Sequence, residues 1–189
     1  QIFNAIGSSG TDNMFHYSSG DLVDGFKVTA SYVPSNGSAM VESAMDFAVE
    51  YTGMEGLTVG YAAGEANAEG GTNNTDNTTM YVKYAYGPVT VGYQESVVEN
   101  NTAGGADEQA QAWSIAANLM DGLSVSYGER EVEFMNASAA HVTEDMEGMA
   151  LAYTMGSAKL SVQKNESSNN GGTANAVDEN LEVALSLSF

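Results

Sequence analysis

The chain closes on LEVALSLSF (181–189). Leu181, Val183, Leu185, Leu187 and Phe189 are apolar, and Glu182, Ala184, Ser186 and Ser188 between them are small or polar. A strict period of two belongs to a β-strand with one greasy face and one wet face. The same period recurs upstream in FKVTASY (26–32), MDFAVEY (45–51), LTVGYAAG (57–64), MYVKYAY (80–86), VTVGY (89–93), WSIAANL (113–119), LSVSYGER (123–130), MALAY (149–153) and AKLSVQ (158–163). Eleven strands are expected, near 12–18, 24–34, 42–52, 56–66, 77–87, 88–98, 108–119, 123–134, 145–155, 158–167 and 177–189. The fold class is all-β.

The links between them alternate in character. GMEG (53–56), GP (87–88), MDG (120–122) and GS (156–157) are tight, and GDLVDG (20–25) is slightly longer. ANAEGGTNNTDN, NNTAGGADE, MNASAAHVTE and SSNNGGTANA are long and polar, with PSNGSAM the shortest of this set. Tight turns at one end of a sheet and long loops at the other is the layout of outer-membrane barrels.

The polar phase separates a membrane barrel from a soluble sandwich. The outer face of a sandwich meets bulk water and is normally rich in Lys, Glu and Thr. Here that phase is Gly, Ala, Ser and Thr with single charges, which suits a water-filled interior. The apolar phase repeatedly carries tyrosine, and such rings suit a membrane–water boundary. Tyr32, Tyr51, Tyr86, Tyr93, Tyr153 and the terminal Phe189 are the expected interface aromatics. Lipid offers no hydrogen bonds, so a membrane sheet must close on itself. Single-chain bacterial barrels have even strand numbers. An odd count of eleven therefore points to further strands ahead of Gln1, in a mature chain or a piece of one.

Composition narrows the partners. Twenty-five acidic residues face five basic ones, for a net charge of −20, so nucleic acid is excluded as a partner. There is no cysteine, hence no disulfide framework and no thiolate metal site. No run of about 18 apolar residues exists to form a transmembrane helix. No Gly-x-Ser-x-Gly elbow or phosphate-binding glycine loop is present, and His16 and His141 stand isolated, so no catalytic or metal constellation is legible and no enzyme is expected. Two acidic runs, GGADE and TEDMEG, contain carboxylates that could hold Ca²⁺, the simpler reading being solvated loops.

Four of the five basic residues, Lys27, Lys83, Arg130 and Lys159, fall on the polar phase, as do Asp46, Glu50 and Glu182. With His16 they are the candidate pore-lining residues. A charge on the lipid face costs about 2–4 kcal/mol at the midplane, so this placement is what any barrel requires. The functional reading is a transverse field across a channel, with weak cation preference because acids dominate.

The stretch NMFHYSSGDLVDGFKVTASY (13–32) resembles the general porins of Gram-negative bacteria, through Asn13, Tyr17, Ser19, the Gly25–Phe26 pair and Tyr32. The final strand ending on Phe189 resembles that family too. The resemblance implies a transmembrane antiparallel β-barrel in which the strands here are numbers 6 to 16 of about sixteen. Residues 1–11 would be the tail of an inward-folded constriction loop, and 12–189 the barrel strands of a single domain. It implies homotrimers in the bacterial outer membrane, in contact with its lipid and lipopolysaccharide. It also implies passive diffusion of small hydrophilic solutes, with no cofactor. His16 stands where the family often has arginine, Ser18 replaces an aspartate and Gly20 a proline. The competing readings are a structural or adhesive barrel with a plugged interior, and a soluble secreted acidic β-sandwich.

Overall fold

The structure, a computed structural model, describes residues 14–35, 43–67, 74–101, 105–136 and 141–188. Eleven strands follow in chain order: β1 (Phe15–Val23), β2 (Phe26–Val33), β3 (Ser43–Tyr51), β4 (Leu57–Asn67), β5 (Thr75–Tyr86), β6 (Val89–Asn100), β7 (Ala106–Met120), β8 (Leu123–Asn136), β9 (Val142–Met155), β10 (Ala158–Ser168) and β11 (Val177–Leu187). They form one antiparallel sheet in sequence order, with β1 and β11 at its edges. A sandwich needs two stacked sheets, so the soluble alternative fails here.

The alternation seen in the sequence becomes a division of faces because directly opposed residues in an antiparallel pair share a face. Leu185 of β11 opposes Leu160 of β10, which opposes Tyr153 of β9, which opposes Leu123 of β8. Among the described residues none covers that face. Leu181, Val183, Leu185 and Leu187 are each more than half exposed. The buried apolar residues among those described are only Ala112 and Val132. A soluble chain of this length buries a continuous core. A single layer that leaves its leucines bare is stable only where the surroundings are themselves apolar.

Tight turns join the strands at one end. Gly56 (φ 76°) and Gly122 (φ 77°) take the left-handed conformation that side chains resist. A Cβ on either would also lie 2.2–2.3 Å from a carbonyl oxygen, that of Ala85 or of Thr154. The contact is close because the turns interlock: Ala85 N donates to Gly56 O and Thr154 N to Gly122 O, both at 2.8 Å.

The first strand departs from expectation. It runs Phe15–Val23 rather than 12–18, so most of GDLVDG is strand and the turn is only Asp24–Gly25. Gly20 (φ 60°) sits where the pairing register shifts between Ser18 and Asp21, so a bulge absorbs the irregular residue without ending the strand. The calcium reading also needs correction. TEDMEG (143–148) lies within β9, and residues 106–108 of GGADE lie within β7. Successive side chains of a strand point to opposite faces, which scatters these carboxylates. Among the described residues no group of three or more acidic or histidine side chains could hold a metal ion. Residues 1–13 and Phe189 lie outside the described residues, and with them the constriction-loop tail, Asn13 and the terminal aromatic.

Candidate pore wall

The polar face is built from cross-strand rows. One row runs Lys27, Glu50, Gly60, Tyr81, Gln94, Ala112 and Arg130 across β2 to β8. A second runs His16, Ser31, Asp46 and Gly64. Lys83 opposes Gly92, and Ser114, Gly128 and Gly148 continue that row. Lys159 opposes Ser186, and Gln163 opposes Glu182. The pairing thus brings His16, Lys27, Asp46, Glu50, Lys83, Arg130, Lys159 and Glu182 to one face, spread over its whole width rather than gathered at one point.

Asp46, Glu50 and Glu182 on this face are tied down and its bases are not. Ser31 Oγ donates to Asp46 Oδ2 at 3.0 Å, Tyr81 OH to Glu50 Oε2 at 2.5 Å, and Gln163 Nε2 to Glu182 Oε2 at 2.9 Å. Among the described residues, Lys27, Lys83, Arg130 and Lys159 enter no salt bridge. Lys27 directly opposes Glu50, yet the carboxylate turns the other way, to Tyr81. Sequence reasoning missed Tyr81 because a tyrosine on the polar phase signals nothing until its neighbours across the sheet are known. It also missed Glu144, buried on this face and accepting a 2.8 Å bond from Ser167 Oγ.

The opposite face is apolar near the tight turns and acidic toward the long loops. The boundary runs obliquely. In the row Phe15, Tyr32, Met45, Glu65, Asp76, the change falls between β3 and β4. Two rows nearer the turns it falls between Met80 of β5 and Glu95 of β6. One row further it falls between Trp113 of β7 and Glu129 of β8, and in the next between Met149 of β9 and Lys164 of β10. The boundary therefore shifts about eight residues in about six strands, roughly 26 Å along the chain for roughly 29 Å across it at ordinary strand spacings. A flat bilayer keeps that boundary level only if the strands incline by about 40°, the tilt of closed barrels.

Aromatic rings mark both borders of the apolar band. Tyr51, Tyr86 and Tyr153 stand near the turns, Tyr32 and Tyr93 at the far border, and all five share the apolar face. Trp113 and Tyr127 also belong to the far border, with ring centroids 5.6 Å apart. Their polar atoms reach away from the band: Trp113 Nε1 donates to Glu129 Oε2 at 3.0 Å, and Tyr127 OH bonds both Glu129 and Glu147. Lys164, the one basic residue off the polar phase, bridges Glu166 and Glu179 in this acidic zone.

The sequence pattern of the family described as Gram-negative porin matches residues 2–131. That is more than half of the chain. The chain belongs to this family. As a porin it resides in the bacterial outer membrane. Solved structures of outer-membrane proteins and porins share the fold. An anion-selective porin from Comamonas acidovorans superposes with a TM-score of 0.77 at 13% identity, covering 94% of this chain and 60% of that one. Outer-membrane expressed OmpT of Vibrio cholerae gives 0.68 at 17%, covering 91% and 61%. The trimer form of in-vitro folded OmpT from the same organism gives 0.68 at 15%, covering 93% and 64%. No curated protein matches the sequence significantly. This porin sequence spans about three fifths of the length of the solved chains it resembles.

Proposed function

We propose that this porin chain forms the wall of a passive channel for small hydrophilic solutes and ions, with weak cation preference, and catalyses no reaction. The observation that supports it is the division of faces. One face is bare and apolar between two aromatic borders, and the other collects Lys27, Lys83, Arg130, Lys159, His16, Asp46, Glu50 and Glu182 among glycines and small side chains. The second face is the pore lining. A wall of small residues leaves room for water, and fixed charges on it bias which ions enter. Cation preference follows from the excess of acids, 25 against 5. The anion-selective Comamonas porin shares the fold at 13% identity, and ion choice is set by side chains rather than by fold.

The whole assembly is a barrel of about sixteen strands in a single domain. The barrel works as a homotrimer surrounded by outer-membrane lipid and lipopolysaccharide. The trimer form of OmpT supports the oligomeric reading. Reversal potential in a planar bilayer under a KCl gradient tests selectivity. A potential of the sign set by K⁺ is expected, and a chloride-selective potential overturns the cation preference. Absence of conductance steps overturns the channel and favours the plugged barrel.

A further inference from the structure

Each acid of β3 on the polar face opposes a glycine of β4: Glu50 faces Gly60 and Asp46 faces Gly64. Neither glycine is a turn residue, and neither takes positive φ. In mid-strand a glycine weakens the sheet and signals close approach by another group. The approaching groups are on the page. A Cβ on Gly60 would lie 2.3 Å from Cε1 of Tyr81, and one on Gly64 would lie 2.3 Å from Oδ1 of Asp46. The tyrosine ring therefore lies down across the backbone of β4, and its hydroxyl ends on Glu50 of β3. Asp46 leans over Gly64 in the same way, with Ser31 on its other oxygen.

We infer that Gly60 and Gly64 are notches that hold Tyr81 and Asp46 flush with the wall, so that these two glycines set the clearance of the channel beside β3 and β4. Tyr81 is the positioning residue of the arrangement. It spans Gly60 to hold Glu50 on the side away from Lys27, keeping the two opposite charges apart on the wall. A methyl group at 60 leaves the ring no place to lie, because backbone stands on one side and the lumen on the other. The ring must rise into the water-filled space, and the carboxylate it holds loses its partner.

This inference rests on the pore-lining reading above, and the test separates the two. Single-channel conductance in KCl is measured for the porin purified from outer membranes, wild type and G60A, G60A/Y81A, Y81A and Y81F. Conductance is expected to fall in G60A and to recover in G60A/Y81A. It should rise in Y81A and stay near wild type in Y81F, whose ring still fits the notch. If G60A fails to assemble, the contrast between Y81A and Y81F decides alone. Wild-type steps with G60A or Y81A unchanged overturn the notch. A wild-type protein without steps overturns the channel itself.

Discussion

At the scale of single residues, two neighbours in β11 face opposite surroundings. Val183 opposes Val162 within the bare apolar band, whereas Ala184 opposes Ser161 on the polar face. Val183→Arg is expected to cost about 2–4 kcal/mol, the penalty of a cation near the bilayer midplane. Ala184→Arg should fold near normally, since its side chain meets water. Urea-dependent unfolding from lipid vesicles, followed by tryptophan emission from Trp113, checks the pair, and equal cost at both positions would contradict the assigned faces. This alternation was plain in LEVALSLSF because it needs only neighbours in sequence. The Tyr81–Gly60 contact was not, because its members lie 21 positions apart and meet only through the register of β4 on β5.

At the scale of elements, the turns and the acidic row make separate predictions. Gly122→Ala forces a side chain into positive φ and against the Thr154 carbonyl, at about 1–3 kcal/mol. Heat-modifiable gel mobility should show a lower unfolding midpoint. Glu129, Glu147, Glu166 and Glu179 stand opposed in series across β8 to β11, relieved by Lys164 at one end only. Like charges directly opposite destabilise a sheet, and salt screens them. The same midpoint should therefore rise with NaCl, and Glu147→Gln should flatten that rise; a salt-independent midpoint would remove the argument. Strand positions and turns were legible from periodicity and glycine placement. The acidic runs were misread as loops because charge implies exposure, and on a barrel strand standing beyond the lipid the exposed side is the sheet's own outer face.

At the scale of the whole molecule, the membrane plane is written obliquely across the sheet. No strand records it alone. Each shows only where its own apolar stretch gives way to acid, and the slope emerges once all rows are aligned. That is why the sequence disclosed a barrel wall but not the oblique line along which its far border runs. Selectivity is a property of this scale too. Lys27→Glu reverses a charge that enters no salt bridge among the described residues, so the reversal potential should move further toward K⁺. A shift toward chloride would show that Lys27 does not face the ions.

All ten pairings of the sheet join strands adjacent in the chain. Such a wall can be laid down one hairpin at a time, each arrival docking on the exposed margin left by the last and bringing its own partner with it. Loop closure stays short at every stage, and its entropy cost grows only slowly with loop length. Among the described residues no pairing joins strands distant in the polypeptide. Formation of the described wall is thereby divided into many inexpensive local additions, so a lesion at one turn should stall it at that hairpin.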